Sequence, residues 1–88
     1  MGFRDFLNES TRDYVNKRLK DTLRKEGMGF KVDKKTGFDK YLLDNDVSII
    51  NDGVGVSVKV NNKEVYYGDT PKLDYKKAID TAYDAVYE

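Results

Sequence analysis

Residues 54–60 read Val54-Gly55-Val56-Ser57-Val58-Lys59-Val60, with valine at every second position. Side chains on a strand point to opposite faces in turn, so this alternation predicts a half-buried β-strand with one valine face. The residues on either side supply its partners. Upstream, Val47 to Ile50 predicts a strand, and Asn51-Asp52-Gly53 is a strong tight-turn signal. With Asp52 and Gly53 as the loop, Asn51 faces Val54, Ile49 faces Val56 and Val47 faces Val58. Downstream, the turn falls at Asn61-Asn62 or Asn62-Lys63, and by parity either choice puts Val65 and Tyr67 on the valine face. Two independent turns thus gather Val47, Ile49, Val54, Val56, Val58, Val60, Val65 and Tyr67 on one surface. The opposite face presents Ser48, Ile50, Ser57, Lys59, Glu64 and Tyr66, and Ile50, Lys59 and Tyr66 form a candidate exposed sheet patch for a partner.

Before this meander, Phe30 and Val32 alternate with lysine up to Asp33-Lys34-Lys35-Thr36-Gly37, a five-residue hairpin-loop signal, and Phe38 to Leu43 is the return strand. Asp44-Asn45-Asp46 is the next turn. Its alternating carboxylates lack the glycine that a calcium loop requires, since Ile49 stands there, and no metal site is expected.

Helices flank the strands. Phe3, Leu7, Thr11, Tyr14, Val15, Leu19, Thr22 and Leu23 follow three-and-four spacing, with Phe6 beside them, and predict a helix over 3–26 stopped by Gly27 and Gly29. Ser10 or Thr11 is suited to cap a helix start, which would make residues 1–9 a detachable leader. Thr70-Pro71 opens the last helix, with Leu73, Tyr75, Ile79, Ala82 and Val86 as its inward stripe and Ala78 and Ala85 beside them. The expected architecture is α+β in one 88-residue domain: N-terminal helix, antiparallel β-meander of three to five strands, C-terminal helix, both helices on one face of the sheet.

Composition narrows the chemistry. The chain has no cysteine and no histidine, which removes disulfides, thiolate metal sites and the commonest general base. No Gly-rich phosphate loop lies between a strand and a helix. The expectation is a protein that is not an enzyme, with no cofactor and no catalytic residues. No apolar run approaches the roughly 18 residues of a membrane span, so no membrane partner is expected. Net charge is zero, yet residues 1–35 carry ten Lys/Arg and six Asp/Glu while residues 36–88 carry six and ten. Arg12, Lys17, Lys20 and Arg24 on the first helix, with Lys72, Lys76 and Lys77 on the last, are therefore a candidate face for an acidic partner or nucleic acid. A solvated helix surface accounts for the same residues.

Two resemblances add to this reading. Helix, three antiparallel strands, helix is the order of a double-stranded-RNA-binding domain, and Lys76-Lys77 before Ala78, Ala82, Ala85 and Val86 is similar to that family's basic, then alanine-rich last helix. The resemblance implies lysines on RNA phosphates, although Asp74, Asp80 and Asp84 share the helix and the family's Gly-rich run before the lysines is absent. Phe3-Arg4-Asp5-Phe6-Leu7-Asn8-Glu9 resembles the capsid-targeting leader of internal head proteins in T-even-type tailed phages. That resemblance implies a prohead-protease cut after Glu9, before Ser10, at a site read through Leu7. It further implies packaging in the virion, injection into the host cytoplasm, and binding of a host protein such as a defence nuclease. A nucleic-acid-binding module is the alternative expectation.

Overall fold

The computed structural model describes the backbone of residues 3–88 and the side chains of residues 11–88. Helix α1 spans Phe3–Lys25, followed by strands β1 (Lys31–Lys35), β2 (Phe38–Leu42), β3 (Val47–Asn51), β4 (Val56–Val60) and β5 (Lys63–Gly68), then helix α2 (Pro71–Tyr87). The strands form one antiparallel sheet in sequence order. Both helices pack on the same face, over a core of Val15, Leu19, Leu23, Met28, Tyr41, Val47, Ile49, Val56, Val58, Tyr75, Ala78, Ile79, Ala82 and Val86. The expected architecture stands, with five strands.

Helix α1 runs unbroken through Ser10 and Thr11, so neither residue caps a start there. It ends in a Schellman motif. Gly27 takes φ +74°, its N–H donates to the Arg24 carbonyl, and the Met28 N–H donates to the Leu23 carbonyl. Met28 and Leu23 are both buried, which gives the motif its usual apolar contact. Val15, Leu19 and Leu23 face the core as the spacing predicts, whereas Tyr14 turns partly to solvent.

The turns refine the register. Lys35 pairs with Phe38, so the first hairpin closes on Thr36-Gly37 alone, and Asp33 to Lys35 belong to β1 rather than to a five-residue loop. Asn61-Asn62, at φ 53° and 68°, is a left-handed pair that matches strand twist in the two-residue hairpin between Val60 and Lys63. Asn45-Asp46, at φ 60° and 58°, form the centre of the turn closed by the Val47 N–H on the Asp44 carbonyl. The Asn51 turn is longer than expected. Asn51 pairs with Val56, Ile49 with Val58 and Val47 with Val60, a slip of two residues from the expected pairing. The cause is Asp52, whose Oδ1 accepts from the Val54 and Gly55 N–H groups and organises a four-residue loop from Asp52 to Gly55. A two-residue slip preserves parity, so the valine face survives. Val54 does not: it sits in the loop and is 63% exposed.

A β-bulge corrects the other side. Val60 pairs with Lys63 and Lys59 with Glu64, but Val58 pairs with Tyr66, leaving Val65 as the extra residue. Beyond the bulge the alternation is inverted. Val65 and Tyr67, expected in the core, are exposed, and Tyr66, expected outside, packs against the core. Helix α2 has Pro71 at its start, but the Thr70 hydroxyl makes no capping bond to the helix. Instead Asp74 Oδ2 accepts from the Thr70 N–H at 3.0 Å. Leu73, expected in the inward stripe, is 72% exposed, while Tyr75, Ala78, Ile79, Ala82 and Val86 are buried.

Candidate functional site

Three places gather chemistry. The first is a polar cluster where the middle of α1 meets β2 and β3. Asp39 lies on the helix-covered face of the sheet and is only 3% exposed. Its carboxylate accepts from Arg12 Nε at 3.0 Å, from Arg12 Nη2 at 3.1 Å and from Asn16 Nδ2. Asn16 Oδ1 in turn accepts from the Tyr41 hydroxyl at 2.8 Å and from Asn51 Nδ2 at 2.8 Å. Asn51 also donates to the Arg12 carbonyl, and its Oδ1 accepts from the Gly53 N–H. Every member is satisfied, and no buried side-chain N or O among the described residues lacks a partner.

The electrostatics follow from this wiring. Burial alone would raise the Asp39 carboxyl, but hydrogen bonds from Arg12 and Asn16, with the Arg12 charge, hold it below the ordinary carboxylate value. Burial, reinforced by the Asp39 charge, pushes the Tyr41 hydroxyl far above its usual value. Near neutral pH Asp39 therefore stays ionised and Tyr41 stays protonated, so neither is tuned for proton transfer. The cluster locks helix to sheet. Arg12, proposed from sequence as part of a free basic face, is committed to Asp39.

The second place is the seam between the helices. Tyr14 on α1 lies between two cations: Arg18 Cζ is 5.2 Å from the ring centroid and Lys72 Nζ, from α2, is 5.4 Å away. Of the candidate basic residues, the structure brings Lys72 to α1 and leaves Lys17, Arg24, Lys76 and Lys77 exposed, with Lys20 half-buried. Arg24 stacks near Phe30, its Cζ 5.8 Å from that ring. The Tyr14–Arg18 spacing of four was legible as a same-face pair. The arrival of Lys72 from a residue 58 positions away was not.

The third place is the open face of the sheet. The register sets Asp33, Lys40, Ile50, Ser57 and Tyr67 in one row, and Lys31, Leu42, Ser48, Lys59 and Glu64 in the next. Ile50 and Lys59 are half-buried there, and Tyr66 has left this face for the core, so the proposed patch loses one member. Tyr67 takes its place and lies over Gly55, where an added Cβ would meet the tyrosine hydroxyl at 2.5 Å. A cleft of about 530 Å³ opens at the end of the sheet, lined by Lys40, Leu42, Leu43, Asp46, Ser48 and Asn61 among others. Among the described residues no group of three or more Asp/Glu gathers to hold a metal, and no helix is long and apolar enough to cross a membrane. The side chains of Leu7, Glu9 and Ser10 lie outside the described residues.

Fold and surfaces together define a small α+β protein of helix–meander–helix order, with two helices on one face and a mixed apolar and charged sheet on the other. No protein-family model matches the chain, and no curated protein or solved structure matches it either.

Proposed function

We propose that this is a small non-enzymatic accessory protein of phage type, packaged in the head, injected, and acting by binding and inhibiting a host factor such as a defence nuclease. The observation that carries the reading is the stretch Phe3-Arg4-Asp5-Phe6-Leu7-Asn8-Glu9, with its acid, its apolar residues and its closing Glu in the order of a capsid-targeting leader. The placement of the anchors supports it. Among the described side chains, those of residues 11–88, Arg12, Val15, Asn16, Leu19 and Leu23 tie α1 to the sheet and core, and a chain beginning at Ser10 keeps them. The test is co-expression with a T-even-type prohead protease followed by intact-mass measurement. The expected product is residues 10–88; an uncut chain removes the reading.

A nucleic-acid-binding reading is favoured by one separate observation, the clustering of Arg18 and Lys72 about the half-exposed Tyr14. Phosphate-driven binding releases counterions and weakens steeply with salt. A gel shift on duplex RNA and DNA at about 50 mM salt tests it, and an unshifted duplex there rules it out.

A further inference from the structure

The outer side of α2 presents Leu73, Lys76, Lys77, Asp80, Tyr83, Asp84 and Tyr87, every one exposed, at the three-and-four spacing of one continuous stripe. Its charges are sorted along the axis. Lys76 and Lys77 lie toward the helix N-terminus, and Asp80, Asp84 and Glu88 lie toward the C-terminus. This order opposes the helix macrodipole, which favours anions at the start and cations at the end. It also sets Asp80 four residues from Asp84, a like-charge spacing that weakens a solvated helix, while Lys76 and Lys77 stand four and three residues before Asp80 as opposite-charge pairs. The stripe is also more apolar than solvation asks. Leu73 projects at one end, and at the other the Tyr83 and Tyr87 rings meet at a tilt of 50° with centroids 4.7 Å apart. Beside those rings is a notch of about 400 Å³ lined by Tyr83, Asp84, Tyr87 and Glu88.

A single partner answers all of these features: the same stripe running the other way. We propose that α2 is the interface of a two-fold symmetric dimer in which the helices of two copies pack antiparallel with the axis at Asp80. In that register Lys76 of each copy lies opposite Asp84 of the other, and Lys77 lies opposite Tyr83, a cation over an aromatic ring. Leu73 lies opposite Tyr87 and enters the notch. Both macrodipoles are then complemented by the opposed copy, and the surface is self-complementary, as a two-fold axis requires. The two Asp80 side chains meet at the axis and repel. With one helix per copy in contact, the buried area falls below that of a standard interface, so association is weak and exchanging. This inference is independent of the leader reading.

The experiment is sedimentation equilibrium of the full chain at concentrations up to about 1 mM. The wild type is expected to shift reversibly from monomer to dimer across that range. Lys76→Asp and Asp84→Lys each place like charges across the interface and are expected to raise the dissociation constant at least about tenfold. Mixed together, these two variants restore both opposite-charge contacts and associate with each other, a gain that a misfolded protein cannot produce. Asp80→Asn is expected to tighten the dimer. A wild type that remains monomeric, single variants that dimerise like the wild type, a mixture that fails to associate, or an Asp80→Asn chain with unchanged affinity each overturns the proposal.

Discussion

Replacing Asp39 by alanine tests whether the polar cluster is what seats α1 on the sheet. The substitution removes the acceptor for two Arg12 bonds and one from Asn16, and it leaves a guanidinium facing the space where the carboxylate was. Breaking a fully buried ion pair from one side costs about 3–5 kcal/mol. The Arg12 side chain retains 28% exposure and can rehydrate, which moves the expected cost to the lower end, about 3 kcal/mol. A domain of this length is stable by roughly 4–13 kcal/mol, so the loss is a large share of the total. Urea unfolding followed by circular dichroism is the assay. At a slope of about 1–1.5 kcal/mol/M, the midpoint should fall by roughly 2–3 M with the slope unchanged. The same substitution changes the acid limb. Because the folded-state carboxyl is held below its unfolded value, its contribution is fully present above roughly pH 4 and is lost as pH falls through the folded value. The alanine variant should lack that part of the wild-type decline. A loss under about 1 kcal/mol, or an acid limb parallel to the wild type, refutes the assignment of Asp39 as the anchor.

Other outcomes follow from the same geometry. Asn51→Leu strands the Gly53 N–H and removes the side-chain donor to the Arg12 carbonyl and Asn16 Oδ1, and should cost about 1–3 kcal/mol by thermal unfolding, although asparagine lies at a position that the alternation assigns to an apolar residue. Gly68→Ala drives a Cβ into Asp74 at the first turn of α2 and should cost about 1–3 kcal/mol, whereas Gly55→Ala meets only the mobile end of the exposed Tyr67 and should cost less than about 1 kcal/mol. The bulge predicts unequal neighbours: Val65→Asp should stay within about 0.5 kcal/mol of wild type, and Tyr66→Ala should cost about 2 kcal/mol. Equal effects at residues 65 and 66 would contradict the observed pairing. A chain of residues 10–88 should fold with the same near-ultraviolet dichroism as the full chain, and loss of that signal would show that the first nine residues are part of the fold.

Element types and their order were legible because periodicity is local. A valine at every second residue reports a strand with one buried face, and Gly27 and Gly29 report a helix stop, without reference to anything distant. Face assignment held for Val47, Ile49, Val56 and Val58 for a related reason: the Asp52 loop slipped the register by two residues, and parity is blind to an even shift. It failed on β5, where one extra residue opposite Val58 and Lys59 inverted the alternation and exchanged Tyr66 for Val65 and Tyr67. That bulge leaves no turn residue to announce it.

The candidate sites were less legible still. Spacing placed Lys17, Arg24, Lys76 and Lys77 on helix surfaces, but it could not tell a free cation from a paired one, and Arg12 belongs to Asp39 across 27 residues. Leu73 is a different case: it lies two residues before Tyr75, about 200° around the helix from the inward stripe, so the spacing itself puts it on the outer face, where it is exposed. What the sequence determined by itself was the set of elements, their order and the parity of their faces, all of which arise from backbone geometry over a few residues. The tertiary structure alone decided which polar side chains meet, which cation is neutralised and which apolar residues remain in solvent. Those outcomes depend on how a whole helix rotates and slides on a sheet, a rigid-body choice made by the summed packing of residues far apart in the chain.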